Sequence, residues 1–223
     1  MLTDLTLDYY FDPLCGWCYA SAPVLTAVAE TWPHALVMRP SGLFCEPRPV
    51  SEIADHAWRN DARIEEMTGQ RFTDAYHFGV MRKLGGVFRS DYLTRAIVAL
   101  GQIDCRLEPA YQHAAQIARY VDGRDTGQAE VAADVAVAVS AEAGHALDAD
   151  SFADRLTGDG DLKVATDARI ADTQRRQQAL PRGVPLLVVT TGDRAVILKG
   201  DAIYGDATAL MREISSLRTV ATQ

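Results

Sequence analysis

The chain lacks the marks of several protein classes. Lys and Arg number 22 against 30 Asp and Glu, giving a formal net charge of −8 and a pI of about 5.1. Nucleic-acid binding needs a basic face, and an anionic membrane surface selects one too, so the charge balance argues against both. No stretch approaches the ~20 apolar residues of a membrane span. The five histidines, His34, His56, His77, His113 and His145, are scattered, and no pair has ligand spacing, so no metal is assigned. Internal repeats and low-complexity segments are missing. The opening residues, MLTDLTLDYY, hold two Asp and no Lys or Arg and run straight into a strand pattern, unlike a secretory leader. The expectation is a cytoplasmic protein. Cysteine is scarce: there are four, and only Cys15 and Cys18 are close together. What is present in quantity is core material. Hydrophobic residues make up 48% of 223, enough for one large domain or a domain carrying an insertion.

The most informative stretch is Thr6 to Ala22, TLDYYFDPLCGWCYASA. A run of β-formers, Leu5 to Phe11, stops at Asp12-Pro13, and Cys15-Gly16-Trp17-Cys18 then opens a helix-like segment. Unpaired N–H groups at a helix start carry partial positive charge and favour a thiolate there. Cys15 is therefore the candidate nucleophile. Cys18, about one turn on, is placed to attack a mixed disulfide formed at Cys15. A structural zinc site would need about four ligands. Cys45 and Cys105 are single and distant in sequence, and no His lies within a few residues of Cys15. Zinc and inert structural thiols remain the lesser alternatives, because CxxC beside a βαβ-like pattern reads as redox-active. In a reducing compartment such a pair is usually a dithiol in exchange and not a structural staple.

Along the chain, the pattern predicts strand Leu5 to Phe11, a helix from about Cys15 to Thr31, and a strand over Ala35 to Arg39, a βαβ unit with a right-handed crossover. Pro23 falls inside that helix and either bends it or marks a later start near Ala22. Pro40, Gly42, Pro47 and Pro49 mark a loop and a boundary. Residues 51 to about 144 read as helices without strand signals: 51–68 with Ser51 as cap, 72–83, 90–100, 108–121 and 127–143. Asp150-Ser151 offers a cap for a short helix to Leu156. Gly158 to Asp161 reads as a solvated turn, since the full calcium-loop spacing is missing. Leu162 to Leu180 is a long helix whose Arg and Asp read as a solvated face. Val184 to Val189 and Ala195 to Lys199 are strands joined by a tight turn, and Asp206 caps a closing helix to Leu217.

This order, βαβ with CxxC at the first helix, a helical insertion, then α-ββ-α opened by Gly183-Val184-Pro185, resembles the thioredoxin superfamily. Within it the chain is similar to the DsbA-like branch, and to its cytoplasmic FrnE-like thiol oxidoreductases, with DPLCGWCY the most telling string. The resemblance covers nearly the whole chain. It implies an α/β, thioredoxin-like fold with an inserted all-helical domain: residues 1–44 and 150–223 as the thioredoxin-like domain and 45–149 as the insertion. It also implies a thiol–disulfide oxidoreductase or isomerase. In that family the last proline is cis and faces the CxxC across a groove, so the resemblance implies that Val184 offers its backbone to an extended peptide beside Cys15, with Pro185 leaving no competing N–H. A cis X-Pro bond occurs in only about 5–6% of cases, so the residues alone favour a trans proline opening an edge strand. Gly16-Trp17 departs from the Pro-His dipeptide of strongly oxidising periplasmic members, and the direction of electron flow is left open.

The expected site is then Cys15 and Cys18 for exchange, with Trp17, Val184 and Pro185 for substrate. Trp17 reads equally as an aromatic contact for substrate and as a partly buried packing residue. Cys45 and Cys105 read as small buried hydrophobes more readily than as a second electron-passing pair. Expected partners are protein or peptide thiols and disulfides, with no resident cofactor, and with glutathione or a thioredoxin-type reductant as redox partner. The oligomeric state is not legible. The alternative is a glutathione-binding transferase or isomerase of the kappa-class or hydroxychromene carboxylate isomerase type. Those relatives usually carry Ser at the nucleophile position and no resolving cysteine, which argues against them here. A third class is a non-catalytic chaperone or peptide-binding module using the helical domain's groove.

Overall fold

The computed structural model describes residues 5–220. Met1 to Asp4, on which the leader argument partly rests, lie outside the described residues. Strand β1 (Leu5–Phe11) is followed by α1 (Gly16–Ala20), α2 (Ala22–Thr31) and β2 (Leu36–Pro40). Near the C-terminus come β5 (Leu186–Thr191), β6 (Arg194–Leu198), α10 (Asp201–Tyr204) and α11 (Ala207–Val220). The four strands form one sheet in the order β2-β1-β5-β6. β1 is central. It runs parallel to β2, with Leu7 opposite Leu36, and antiparallel to β5, with Tyr9 opposite Leu187. A central strand is covered on both faces, which is why LTLDYYF is almost continuously apolar or aromatic. α2 and α11 pack together, and α9 (Gly160–Gln177) lies against β2.

Between β2 and α9 the chain forms α3 (Ala54–Thr68), α4 (Asp74–Gly79), α5 (Asp91–Gly101), α6 (Leu107–Tyr120), α7 (Ala129–Glu142) and α8 (Ala149–Gly158). Each predicted helix is present within a few residues of its expected bounds. The segment is not all helix, however. Two short strands, β3 (Arg48–Pro49) and β4 (Val87–Phe88), pair antiparallel, and the amide of Val50 donates to the carbonyl of Gly86 at 3.0 Å. Two residues on each side carry no alternation, and the pairing is set by the helices folded between them.

Several local expectations need correction. The first helix is neither continuous to Thr31 nor bent at Pro23. It breaks at Ser21, and Pro23 sits in the first turn of α2, where its missing N–H leaves no helical bond unmade. Ser51 caps nothing: a 3-10 turn, Val50–Glu52, precedes α3. Asp148, not Asp150 or Ser151, caps α8, accepting from the amide of Ser151. The Gly158–Asp161 segment is a helix junction in which Asp159 caps α9 by accepting from the amide of Leu162 at 2.9 Å. Asp206 does cap α11, accepting from the amide of Thr208 at 2.8 Å. The Arg and Asp of α9 are not all a solvated face. The guanidinium of Arg169 donates to Glu108 on α6 and to the carbonyl of Met38 on β2, and Asp172 pairs with Arg39 of β2. No helix among the described residues is long and apolar enough to cross a membrane.

Candidate active site

β1 delivers the chain to Asp12, whose side chain is fully buried. Its carboxylate accepts from the amides of Leu14 and Phe44, both at 3.0 Å, and from the hydroxyl of Ser90 at 3.1 Å. It thereby ties together the turn before α1, the loop after β2 and the start of α5. Burial nevertheless pushes its carboxyl up to about 6. In the sequence Asp12 marks only the end of a strand. Asp-Pro is so common in turns that nothing marked this carboxylate as buried.

Cys15 is the N-cap of α1, with extended backbone, and its carbonyl accepts from the amides of Cys18 and Tyr19. Both thiols are free. Their surroundings differ. Cys15 lines a cavity of about 90 Å³, whereas Cys18 is fully enclosed. Burial holds the Cys18 thiol well above the ordinary range, and the Cys15 thiol beside it adds to that shift. Below Cys18, the hydroxyl of Tyr9 lies 2.7 Å from that of Ser21, and Ser21 donates to the Cys18 carbonyl at 3.0 Å. Tyr120 on α6 donates to the carbonyl of Leu14 at 3.0 Å, which fixes the turn that presents Cys15.

The Val184–Pro185 peptide is cis. The Sγ of Cys15 lies 3.8 Å from the carbonyl oxygen of Val184. Val184 is half-buried and Pro185 is buried at the head of β5, which begins at Leu186 and not at Val184. Residues 169 positions apart in sequence are thus neighbours. Trp17 is partly buried between α3 and α10. Its indole N–H donates to Asn60 Oδ1 at 3.1 Å, its ring lies 5.2 Å from that of Tyr204, and the Arg63 guanidinium sits 5.5 Å above it. The sequence did not reveal α10, which supplies Tyr204; four residues are too few for a periodic signal.

The cavity beside Cys15 is otherwise lined mainly by Phe44, Phe88, Tyr76, Tyr120 and α3 residues, among them Asp61. Asp61 is 2% exposed, and burial pushes its carboxyl up to about 7. His77 Nε2 stands 3.4 Å from its Oδ2. Nothing in the sequence marks Asp61 either. On α3 it sits among charged residues that look solvated.

The other cysteines stand apart from this pair. Cys45 is half-buried beside the hydroxyls of Ser90 and Thr94, and burial pushes its thiol up to about 11. Cys105 is not the buried hydrophobe expected: it is exposed on the turn before α6, where no helix covers it, and faces a separate cavity of about 730 Å³ between α2, α6 and α7. The size of that cavity does not make it the reactive site, since the CxxC pair opens elsewhere. Among the described residues no group of three or more His, Cys, Asp or Glu is placed to hold a metal ion.

Comparison with known proteins agrees with this architecture. No curated protein sequence matches the chain. Among the solved structures similar over almost their full length are two of one reductase. The cytosolic disulfide reductase DsbM from Pseudomonas aeruginosa shares 28% identity with a TM-score of 0.81, covering 96% of this chain and 99% of that one. The same reductase with GSH shares 29% identity with a TM-score of 0.78, covering 95% and 98%. A family model described as the DSBA-like thioredoxin domain matches residues 6–204. That match spans nearly the whole chain, and the chain therefore belongs to the DSBA-like thioredoxin domain family, a family of thiol–disulfide oxidoreductases.

Proposed function

We propose that the chain is a cytoplasmic disulfide reductase that works through Cys15 and Cys18 and exchanges with protein thiols or with glutathione. The observation that carries this reading is the asymmetry of the two thiols. Cys15 caps α1 and, although largely buried itself, lines the cavity of about 90 Å³. Cys18 is enclosed, with its thiol held protonated. The Cys15 thiolate attacks a substrate disulfide, forming a mixed disulfide and releasing one substrate thiolate, which is protonated. Cys18 then loses its proton and attacks Sγ of Cys15. The second substrate thiol departs, and a Cys15–Cys18 disulfide remains. External thiol restores the pair.

Val184 and Pro185 form the opposite wall of the site. The Val184 carbonyl accepts from an amide of an extended substrate, while Pro185 presents no competing donor. Trp17, fixed by Asn60 and backed by Tyr204, serves as the aromatic rim. Support for the reducing direction and for glutathione comes from the DsbM likeness at 28–29% identity, one of those structures being the reductase with GSH. Residues 1–44 and 150–223 make up the thioredoxin-like domain in this proposal, and 45–149 the helical insertion. The transferase alternative finds no favouring observation in a site that keeps both thiols.

Replacement of Cys15 by Ser is expected to abolish disulfide reduction, and Cys18→Ala to accumulate a mixed disulfide visible by mass spectrometry. Turnover retained by the Cys15→Ser variant would sink the assignment.

A further inference from the structure

Asp61 has no task in the exchange described so far, yet it is among the most deeply buried acids of the chain. It projects from α3 into the small cavity that Cys15 also borders. The approach is close. A Cβ built on Gly16, the residue after Cys15, would lie 3.3 Å from Asp61 Oδ1 and 3.2 Å from Ile64 Cδ1, so the lack of a side chain at position 16 lets the carboxyl reach the cysteine turn. At about 90 Å³ the cavity has room for water between the two groups.

We propose that Asp61 is the proton shuttle of the thiol exchange, taking the proton of the Cys15 thiol and returning it to the substrate thiolate that leaves. This inference rests on the assignment of Cys15 as nucleophile. The steps balance. Asp61 carboxylate accepts the Cys15 proton, giving a thiolate and a neutral carboxyl. The thiolate attacks the substrate disulfide; the Cys15–substrate S–S bond forms and the substrate S–S bond breaks. The departing thiolate takes the electron pair of the broken bond and the proton held on Asp61, which returns to carboxylate. No further oxidant or reductant is needed.

The surroundings suit a group that must both accept and donate. A shuttle is most effective when its pKa is near the working pH, and burial brings Asp61 into that range. Tyr76 bonds to it and, with Arg119, opposes the effect of burial, whereas Glu65 on the same helix adds to it. His77 faces it from α4 at 3.4 Å, and burial pushes that imidazole below its usual range, so it is neutral at pH 7. Tyr120, which adjoins both Asp61 and Cys15, has its hydroxyl pushed far up by burial and stays protonated. His56, the remaining ionisable group on the cavity wall, lies on α3. Asp61 is the group of this set that changes charge near neutrality as an acid.

The test is the pH dependence of disulfide reduction in the wild type and in Asp61→Asn, which keeps size and shape. The wild-type rate should show an inflection near pH 7. In Asp61→Asn the inflection should vanish and the rate at pH 7 fall about tenfold to hundredfold, at the low end of general acid–base effects. The two rates should converge at alkaline pH, where solvent hydroxide takes the proton without Asp61. A profile of wild-type shape in Asp61→Asn would overturn the proposal, as would an equal loss at every pH. Should that variant fail to fold, carbon NMR of Asp-labelled wild type decides. A carboxyl titrating near 7 whose midpoint moves on alkylation of Cys15 supports the shuttle, and no Asp carboxyl with that behaviour refutes it. An active Cys15→Ser enzyme would instead refute the parent assignment. An inactive Cys15→Ser beside an unaltered Asp61→Asn profile would remove the shuttle alone.

Discussion

Burial sets the chemistry of single residues more than sequence neighbourhood does. The cysteines make this concrete. Cys105 is exposed, whereas Cys45 is half-buried with its thiol pushed up to about 11. Alkylation at pH 8 followed by mass spectrometry should label Cys105 at least tenfold faster than Cys45, because the reactive species is the thiolate and it must be reachable. Comparable rates would mean that Cys45 is not enclosed as described. Asp61 gives a second test, on stability. Its carboxyl sits at about 7 in the fold against about 3.9 in an unfolded chain. Between those values the folded protein keeps a proton that the unfolded chain has released, so stability falls as pH rises from about 4 to 7, and the penalty is complete above 7. Asn at position 61 carries no such penalty. Relative to the wild type, Asp61→Asn should therefore gain stability between pH 5 and pH 8, on the order of 1–3 kcal/mol, read from urea midpoints. A constant difference across that range would place Asp61 at an ordinary carboxylate value.

Among the elements, α9 does more than lead the chain back to the sheet. Arg169 joins it to Glu108 on α6 and to the Met38 carbonyl on β2, so one side chain connects the sheet to the helices that precede it. Glu108 is nearly buried, and Gly101 on α5 leaves the space its carboxylate occupies: a Cβ there would come within 2.7 Å of Glu108 Cδ. Removing the guanidinium strands a largely desolvated carboxylate. Arg169→Ala should cost about 2–4 kcal/mol in chemical denaturation. Glu108→Gln in the same background should recover part of that loss, since it removes the stranded charge. A loss below about 0.5 kcal/mol would class the pair with exposed bridges. The α9 helix is legible in the sequence by its length, whereas its N-cap, Asp159, sits in a stretch that reads as a solvated turn. The helix's role as a bridge is not legible, because an Arg facing water and an Arg facing a buried Glu look alike in a polar-faced helix.

At the scale of the whole molecule, sequence and structure divide the work along a physical line. Period and punctuation are local. The apolar run of Leu5 to Phe11, the helical spacing from Ala54 to Glu142, and the Pro and Gly breaks between them act over a few residues, so the α/β class, the order of the elements and the cysteine pair at the start of α1 were written in the chain itself. Contacts across long stretches are not local. The 3.8 Å approach of Cys15 to the Val184 carbonyl, the β3–β4 pairing, the burial of Asp12 and Asp61 and the packing of Tyr204 on Trp17 each depend on where the sheet and helices come to rest. Desolvation, which lifts carboxyl and thiol pKa values, is a property of the assembled core. The sequence by itself determined which thiols could react, and only the tertiary structure decided which of them lines a cavity, what faces it, and which acids lie buried beside it.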